Sequence, residues 1–95
     1  MLTIAIILGA MAIMATVVWA IINFKEIVDW FKRKSYLKNP EDIAFTLKTK
    51  MAAGDYEIVT GIFDPQQETV KTGEVIRSKQ MDAEIRNQKE LVIYH

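Results

Sequence analysis

The side chains most used in catalysis and metal binding are almost missing from this chain of 95 residues, which has no cysteine and one histidine, His95. Without cysteine there is no disulfide and no thiolate metal ligand. We expect His95 to fray at the C-terminus, so it cannot supply the held Ser–His or Cys–His pair of a nucleophilic enzyme. The carboxylate pairs Glu41–Asp42 and Asp82–Glu84 are accounted for by helix-start electrostatics and capping. We therefore predict that the protein is not an enzyme and holds no cofactor, metal or small-molecule substrate.

Glycine is scarce, and basic residues are not in excess. The four glycines are scattered along the chain and form no phosphate-binding loop. The net charge is zero, and residues 39–95 carry seven basic against ten acidic side chains. An acidic domain gives no electrostatic reason to expect nucleic acid. The sequence therefore predicts that the partner is not a nucleic acid.

Charge is absent from the start of the chain. No charged side chain lies between Leu2 and Ile22, and the 12 basic and 12 acidic residues all follow from Lys25 onward. The roughly 22 residues up to Asn23 would form a helix of about 33 Å, enough to cross a hydrocarbon core of ~30 Å. We therefore predict a transmembrane helix over residues 1–23. The alternative is a cleaved signal peptide, although the positively charged start and small-residue cleavage site of such a peptide are missing.

The stretch that follows, residues 24–38, is predicted to be a basic amphipathic connector next to the membrane. Phe24, Ile27, Val28 and Phe31 recur at helical spacing. The basic residues on this flank are Lys25, Lys32, Arg33, Lys34 and Lys38. By the positive-inside rule they predict a single pass through the cell (inner) membrane, with the N-terminus outside and the C-terminal domain in the cytoplasm. These residues either contact lipid headgroups or only set the topology.

Two further patterns fit a membrane helix. The aromatic residues Trp19, Trp30 and Tyr36 are placed as in the aromatic belt at a membrane–water interface. Small residues recur every three or four positions, so that on one helix they form a stripe: Ala5, Gly9, Ala12, Thr16 and Ala20. Such stripes let helices approach closely. We predict that this stripe is a helix–helix interface, either with another copy or with a larger membrane protein.

Residues 39–95 are predicted to form a small cytoplasmic α+β domain. Asn39-Pro40-Glu41-Asp42 has the features of a helix start, which predicts a helix over Pro40–Ala53. Strands are predicted at Tyr56–Phe63 and Thr69–Ser78, joined by a turn at Asp64-Pro65 and kept in register by a bulge at one of two glycines. A helical turn at Asp82–Arg86 and a strand at Leu91–Tyr94 complete the domain. The fold class is thus a single transmembrane helix plus a helix and about three mostly antiparallel strands, of which the last, at an edge, could recruit a partner strand.

These features predict a non-catalytic single-pass membrane protein, an accessory or regulatory subunit of a larger membrane complex. Its partners would be the lipid bilayer and that complex. Two alternatives stay open: a self-associating membrane or phage envelope protein that forms a homo-oligomer, and a secreted soluble binding module after signal cleavage.

Overall fold

The computed structural model describes residues 1–94, which form three short helices and one five-stranded sheet. His95 lies outside the described residues. In chain order the elements are helix α1 (Ile4–Ala10), strand β1 (Ala15–Val18), helix α2 (Phe24–Lys34), strands β2 (Ile43–Ala52), β3 (Asp55–Asp64) and β4 (Thr69–Ser78), helix α3 (Ala83–Arg86) and strand β5 (Leu91–Tyr94). Single 3₁₀ turns follow α1 at Met11–Ile13 and α2 at Ser35–Leu37.

The strands lie in the order β1-β4-β3-β2-β5. β2, β3 and β4 are joined as consecutive antiparallel hairpins, and β5 pairs antiparallel with the outer side of β2. β1 pairs with β4 in parallel, so the sheet is mixed. The β2–β3 turn contains Gly54 at φ +80°, a conformation that costs little only for glycine. In the β3–β4 turn the Asp64 carboxylate accepts the N–H groups of Gln66 (2.9 Å) and Gln67 (3.2 Å).

Helices cover both faces of the sheet. On one face α1 packs through Ile7 against a cluster that includes Phe45 and Val59. On the other face α2 and α3 pack through Ile27 and Ile85 against a second cluster. Neighbouring strand residues point to opposite faces, so a strand buried on both sides is apolar along most of its length. The central strand β3 shows this pattern, since all of its residues from Tyr56 to Phe63 are buried.

The predicted transmembrane helix is wrong. The first 23 residues form a helix of only seven residues, a 3₁₀ turn and a strand. Nowhere in residues 1–94 is there a helix with the length and apolar character needed to cross a bilayer. The single-pass topology in the cell (inner) membrane, with its outside N-terminus and cytoplasmic domain, is therefore wrong as well. The reason is that a sheet edge accepts this uncharged run as lipid would: Ile7 and Ile22 are fully buried against the sheet.

The predicted helix at Pro40–Ala53 is also wrong, because these residues include strand β2. Side chains alternate between the two faces of the sheet in this segment, as extended structure requires. Phe45 and Leu47 join one core cluster, while Lys48 reaches α3 on the opposite face. The cap-like start is instead a turn in which the Asp42 carboxylate accepts the Asn39 N–H at 2.8 Å. The signal for a helix start was thus a signal for a turn.

Most of the other local predictions are confirmed. β3, β4 and β5 lie at the predicted strands, and α2 is the amphipathic helix predicted at the connector. The bulge predicted at Gly61 or Gly73 is not there, since these two residues are paired directly; the β3–β4 ladder instead has a bulge whose extra residue is Lys71, between Thr72 opposite Ile62 and Val70 opposite Phe63. The sheet has five strands rather than about three, because β1 and β2 come from segments predicted to be helical.

Candidate interaction surface

Strand β1 is an unprotected edge of the sheet. Its register pairs Val18 with Arg77, and the Trp19 N–H donates to the Arg77 carbonyl at 2.9 Å. Parallel ladders use alternate residues, so Val17 and Trp19 bond inward to β4. The backbone N–H and C=O groups of Thr16 and Val18 consequently point away from the sheet. β1 contains no charge, proline or bulge, the features that usually prevent an edge from pairing with another strand.

Exposed apolar side chains are concentrated in the segment that contains this edge strand. Of the eight large hydrophobic residues that are exposed among residues 1–94, five belong to the first 18 residues: Met1, Ile4, Leu8, Ile13 and Val18. Ile13 and Val18, on either side of the start of β1, are 88% and 80% exposed. Singly exposed hydrophobic residues are ordinary, whereas a concentration in one short segment is typical of an interaction site. We call residues 1–20 with these side chains the N-terminal surface.

The N-terminal surface is held firmly on the sheet. In α1 the Thr3 hydroxyl accepts the Ile6 N–H at 3.2 Å, and Ile7 is fully buried. Between α1 and β1, Met14 packs on Gly73, where an added Cβ would lie 2.9 Å from the methionine methyl group. After β1 the Ser78 hydroxyl donates to the carbonyl of residue 20 at 3.1 Å. These contacts leave β1 fixed and its outer side open.

The residues predicted as a helix–helix stripe all lie on this surface, but not on one helix. They are spread over α1, the 3₁₀ turn, β1 and the bend after it, and all five are exposed: Ala5, Gly9, Ala12, Thr16 and Ala20. The stripe as a helical face does not exist, because α1 ends at Ala10. The role of these residues in an interface stays a prediction.

The basic residues predicted to contact lipid or set topology lie on α2 and just after it. Lys32, Arg33 and Lys34 occupy the last turn of α2, where positive charge interacts favourably with the helix dipole. Lys25 lies in the first turn and Lys38 follows the 3₁₀ turn, and both are exposed. The helix dipole thus gives a structural role to the three residues of the last turn, and contact of the five with lipid headgroups stays a prediction.

The three aromatic residues predicted at a membrane interface lie in different environments. Trp30 is buried beneath α2, with its indole N–H donating to a Glu74 carboxylate oxygen. Trp19 is partly buried against the core cluster that contains Ile27 and Ile85, while Tyr36 is 78% exposed. They therefore form no belt at one depth.

Two buried carboxylates form ion pairs: Asp42, which was predicted at a helix start, and Glu57, which the sequence did not single out. Asp42, with a side chain 1% exposed, accepts from Lys71 Nζ at 2.5 Å. The hydrogen bond from Lys71 and that from the Asn39 backbone lower the pKa of Asp42 below its usual range. Arg77 Nε donates to Glu57 at 2.7 Å. Burial by itself raises the pKa of Glu57, but the Arg77 hydrogen bond, helped by a Thr49 hydroxyl, outweighs it and lowers the pKa. Each pair joins neighbouring segments of the fold.

The sequence also did not indicate the structural role of Lys48. Its Nζ donates to the carbonyls of Ile85 (2.8 Å), Arg86 (3.0 Å) and Gln88, which end α3 and begin the next loop. Burial lowers the pKa of Lys48, and nearby Glu90 opposes that effect. A lysine on a strand at the position of an inward-pointing residue was the available signal, but the helix predicted over this segment concealed it. The contact fastens α3 to β2.

An apolar groove of about 410 Å³ runs between α2 and the end of β5. Phe24 and Phe31 line it from α2, and Tyr94 from β5. These rings contact one another, with Phe31 and Tyr94 centroids 5.2 Å apart. Among residues 1–94 no three His, Asp or Glu side chains are grouped as metal ligands would be.

No protein-family model, no curated protein and no solved structure matches this chain significantly.

Proposed function

We propose that this chain is a non-catalytic interaction domain that binds a protein partner through its N-terminal surface. The observation that carries the proposal is the outer side of β1, whose backbone groups at Thr16 and Val18 are free to pair and whose neighbours are exposed apolar side chains. Proteins commonly bind extended segments by adding a strand to such an edge, the backbone giving affinity and the flanking side chains specificity.

The ionisable groups inside the fold support this assignment, because they are engaged in ion pairs and hydrogen bonds. Asp42 and Glu57 are engaged in ion pairs, and Lys48 holds three carbonyl groups. A general acid, base or nucleophile needs a side chain that can reach a substrate proton or carbon. Groups engaged in these bonds contribute to stability instead, which leaves the uncharged N-terminal surface as the feature that folding alone does not explain.

Photo-crosslinking tests the proposal. The photoreactive amino acid p-benzoylphenylalanine replaces Ile13 in one variant and Tyr36 in another, two positions with nearly equal exposure of 88% and 78%. Illumination in cells of the source organism is expected to give a protein adduct of defined mass at position 13 and none at position 36. Equal adducts at both positions, or none at position 13, would contradict the proposal. Mass spectrometry of the adduct then identifies the partner.

A further inference from the structure

The geometry of β1 points to a second copy of this chain as the partner. We propose that two copies pair β1 antiparallel with β1 across a two-fold axis, which joins two five-stranded sheets into one. This inference rests on the proposed function, since it names the partner of the same surface. It is argued from backbone register, charge and exposure.

The register of such a pair follows from which backbone groups point outward. Antiparallel strands exchange two hydrogen bonds at each hydrogen-bonded pair, and only residues whose N–H and C=O face the partner form one. In β1 those residues are Thr16 and Val18. Pairing Thr16 of one copy with Val18 of the other uses both residues of both copies and forms four hydrogen bonds. The two-fold axis then passes through the facing Val17 residues, a pair without hydrogen bonds of its own.

The absence of charged side chains from residues 1–20 makes a copy of the chain an acceptable partner for this surface. A two-fold interface sets each surface against itself, so a charged side chain near the axis would face its own like. No charged side chain precedes Lys25, and the terminal ammonium of Met1 lies 3.5 Å from Glu68, away from β1. The N-terminal surface is thus compatible with itself.

Size sets the expected strength of the interaction. A ladder of four residues per copy buries too little surface for a stable dimer, for which about 1,200–2,000 Å² is usual. The exposed Val18 side chain lies within the ladder, and that of Ile13, which precedes β1, adds apolar area beyond its end. The association is therefore expected to be reversible and to depend on protein concentration.

Disulfide trapping tests the register directly, because the chain has no native cysteine. In a pair without hydrogen bonds, Cα atoms lie about 4.5 Å apart, within the range that a disulfide spans. Val17→Cys is expected to give a covalent dimer under mild oxidation at low protein concentration. Ala53→Cys, on the exposed β2–β3 turn, is the matched control and is expected to stay monomeric. Equal dimer yields from both variants would overturn the proposed pairing.

A proline substitution keeps the test independent of cysteine chemistry. The Thr16 N–H points outward, so Thr16→Pro removes a donor to the second copy while it leaves the bonds between β1 and β4 in place. Thr16→Val retains the N–H and is the control. Sedimentation equilibrium is expected to show a mass rising toward that of two copies for the unmodified chain and for Thr16→Val, and a single copy for Thr16→Pro with an unchanged circular dichroism spectrum.

The failure of this inference differs from that of the proposed function. An unmodified chain that stays monomeric up to about 1 mM, or Thr16→Pro that dimerises as the unmodified chain does, would overturn the self-pairing. If the position-13 adduct is then a different protein, the interaction domain stands with another partner. If there is no adduct either, both proposals fall.

Discussion

The paired glycines Gly61 and Gly73 offer a strict test of how the sheet is packed. They lie opposite each other in β3 and β4 and point toward the same face. A Cβ added at Gly61 would lie 2.7 Å from Phe45 Cζ and 2.9 Å from the Thr72 carbonyl oxygen. The buried ring and the backbone carbonyl leave this Cβ no room. A Cβ at Gly73 would meet the flexible end of Met14 at 2.9 Å, with the nearest backbone atom at 3.2 Å.

The difference in surroundings sets the expected magnitudes. Replacing glycine by alanine in extended backbone gains about 0.4–1 kcal/mol because the unfolded chain loses freedom, and this gain is common to both sites. Overpacking costs about 1–3 kcal/mol where neighbours cannot move. Gly61→Ala is therefore expected to lower the free energy of unfolding by about 1–2 kcal/mol. Gly73→Ala, where Met14 can turn away, is expected to change it by less than about 0.5 kcal/mol.

Urea unfolding followed by tryptophan fluorescence measures both variants. In a domain of this size a loss of 1 kcal/mol corresponds to roughly 4–8 °C in Tm. Phe45→Leu combined with Gly61→Ala supplies a rescue, because a smaller side chain frees the space that the new methyl group needs. The double variant is expected to lose less stability than the two single changes added together. Equal losses for Gly61→Ala and Gly73→Ala, or full additivity with Phe45→Leu, would refute the packing described for this face.

Two further predictions concern the charged groups inside the fold. Lys48→Met keeps the aliphatic stem but leaves three carbonyl groups without their donor, so unfolding should become easier by about 1–3 kcal/mol, whereas exposed Lys50→Met should have little effect in the same urea titration. Asp42 and Glu57 have folded pKa values below the usual 3.8 and 4.5, so their contribution to stability is present above these values and is lost as the pH falls through the lowered ones. Urea midpoints measured from about pH 6 to pH 3 should fall steeply at the acid end, and less steeply in Asp42→Asn; equal slopes in both proteins would contradict the role of the pair.

The sequence was informative where local chemistry alone decides the structure. The β3–β4 hairpin follows from β-branched strands around Asp64-Pro65, whose turn closes through the aspartate side chain. Helix α2 follows from apolar residues at helical spacing, with the Asn23 side chain accepting the Glu26 N–H at 2.8 Å as its cap. In both segments the signal and the partner lie within a few residues of each other. The type of such an element is therefore set by residues close to it in the sequence, although its stability depends on packing against the rest of the fold.

The sequence misled where the partner is distant. β1 pairs with residues nearly 60 positions later, Ala15 with Glu74, and nothing near Ala15 reveals that pairing. A run without charge satisfies lipid and the edge of a sheet equally well, because both exclude water from apolar side chains. β2 shows the same limit: the turn at Asn39 resembles a helix cap, and only Phe45 and Leu47, buried by other strands, decide for extended structure.

The folding of a single copy explains only part of the uncharged run that forms the N-terminal surface. A helix of two turns and a strand of four residues at a sheet edge have few inward positions, and within these two elements only Ile7 is fully buried. The apolar residues of the run outnumber those positions, so Ile4, Leu8 and Val18 remain at the surface. Folding of one copy explains why part of the run is apolar, but not why the exposed part carries no charge. A polar residue at Val18, which is 80% exposed, would cost a single copy nothing in burial, and the proposed pairing with a second copy would give this uncharged surface a role.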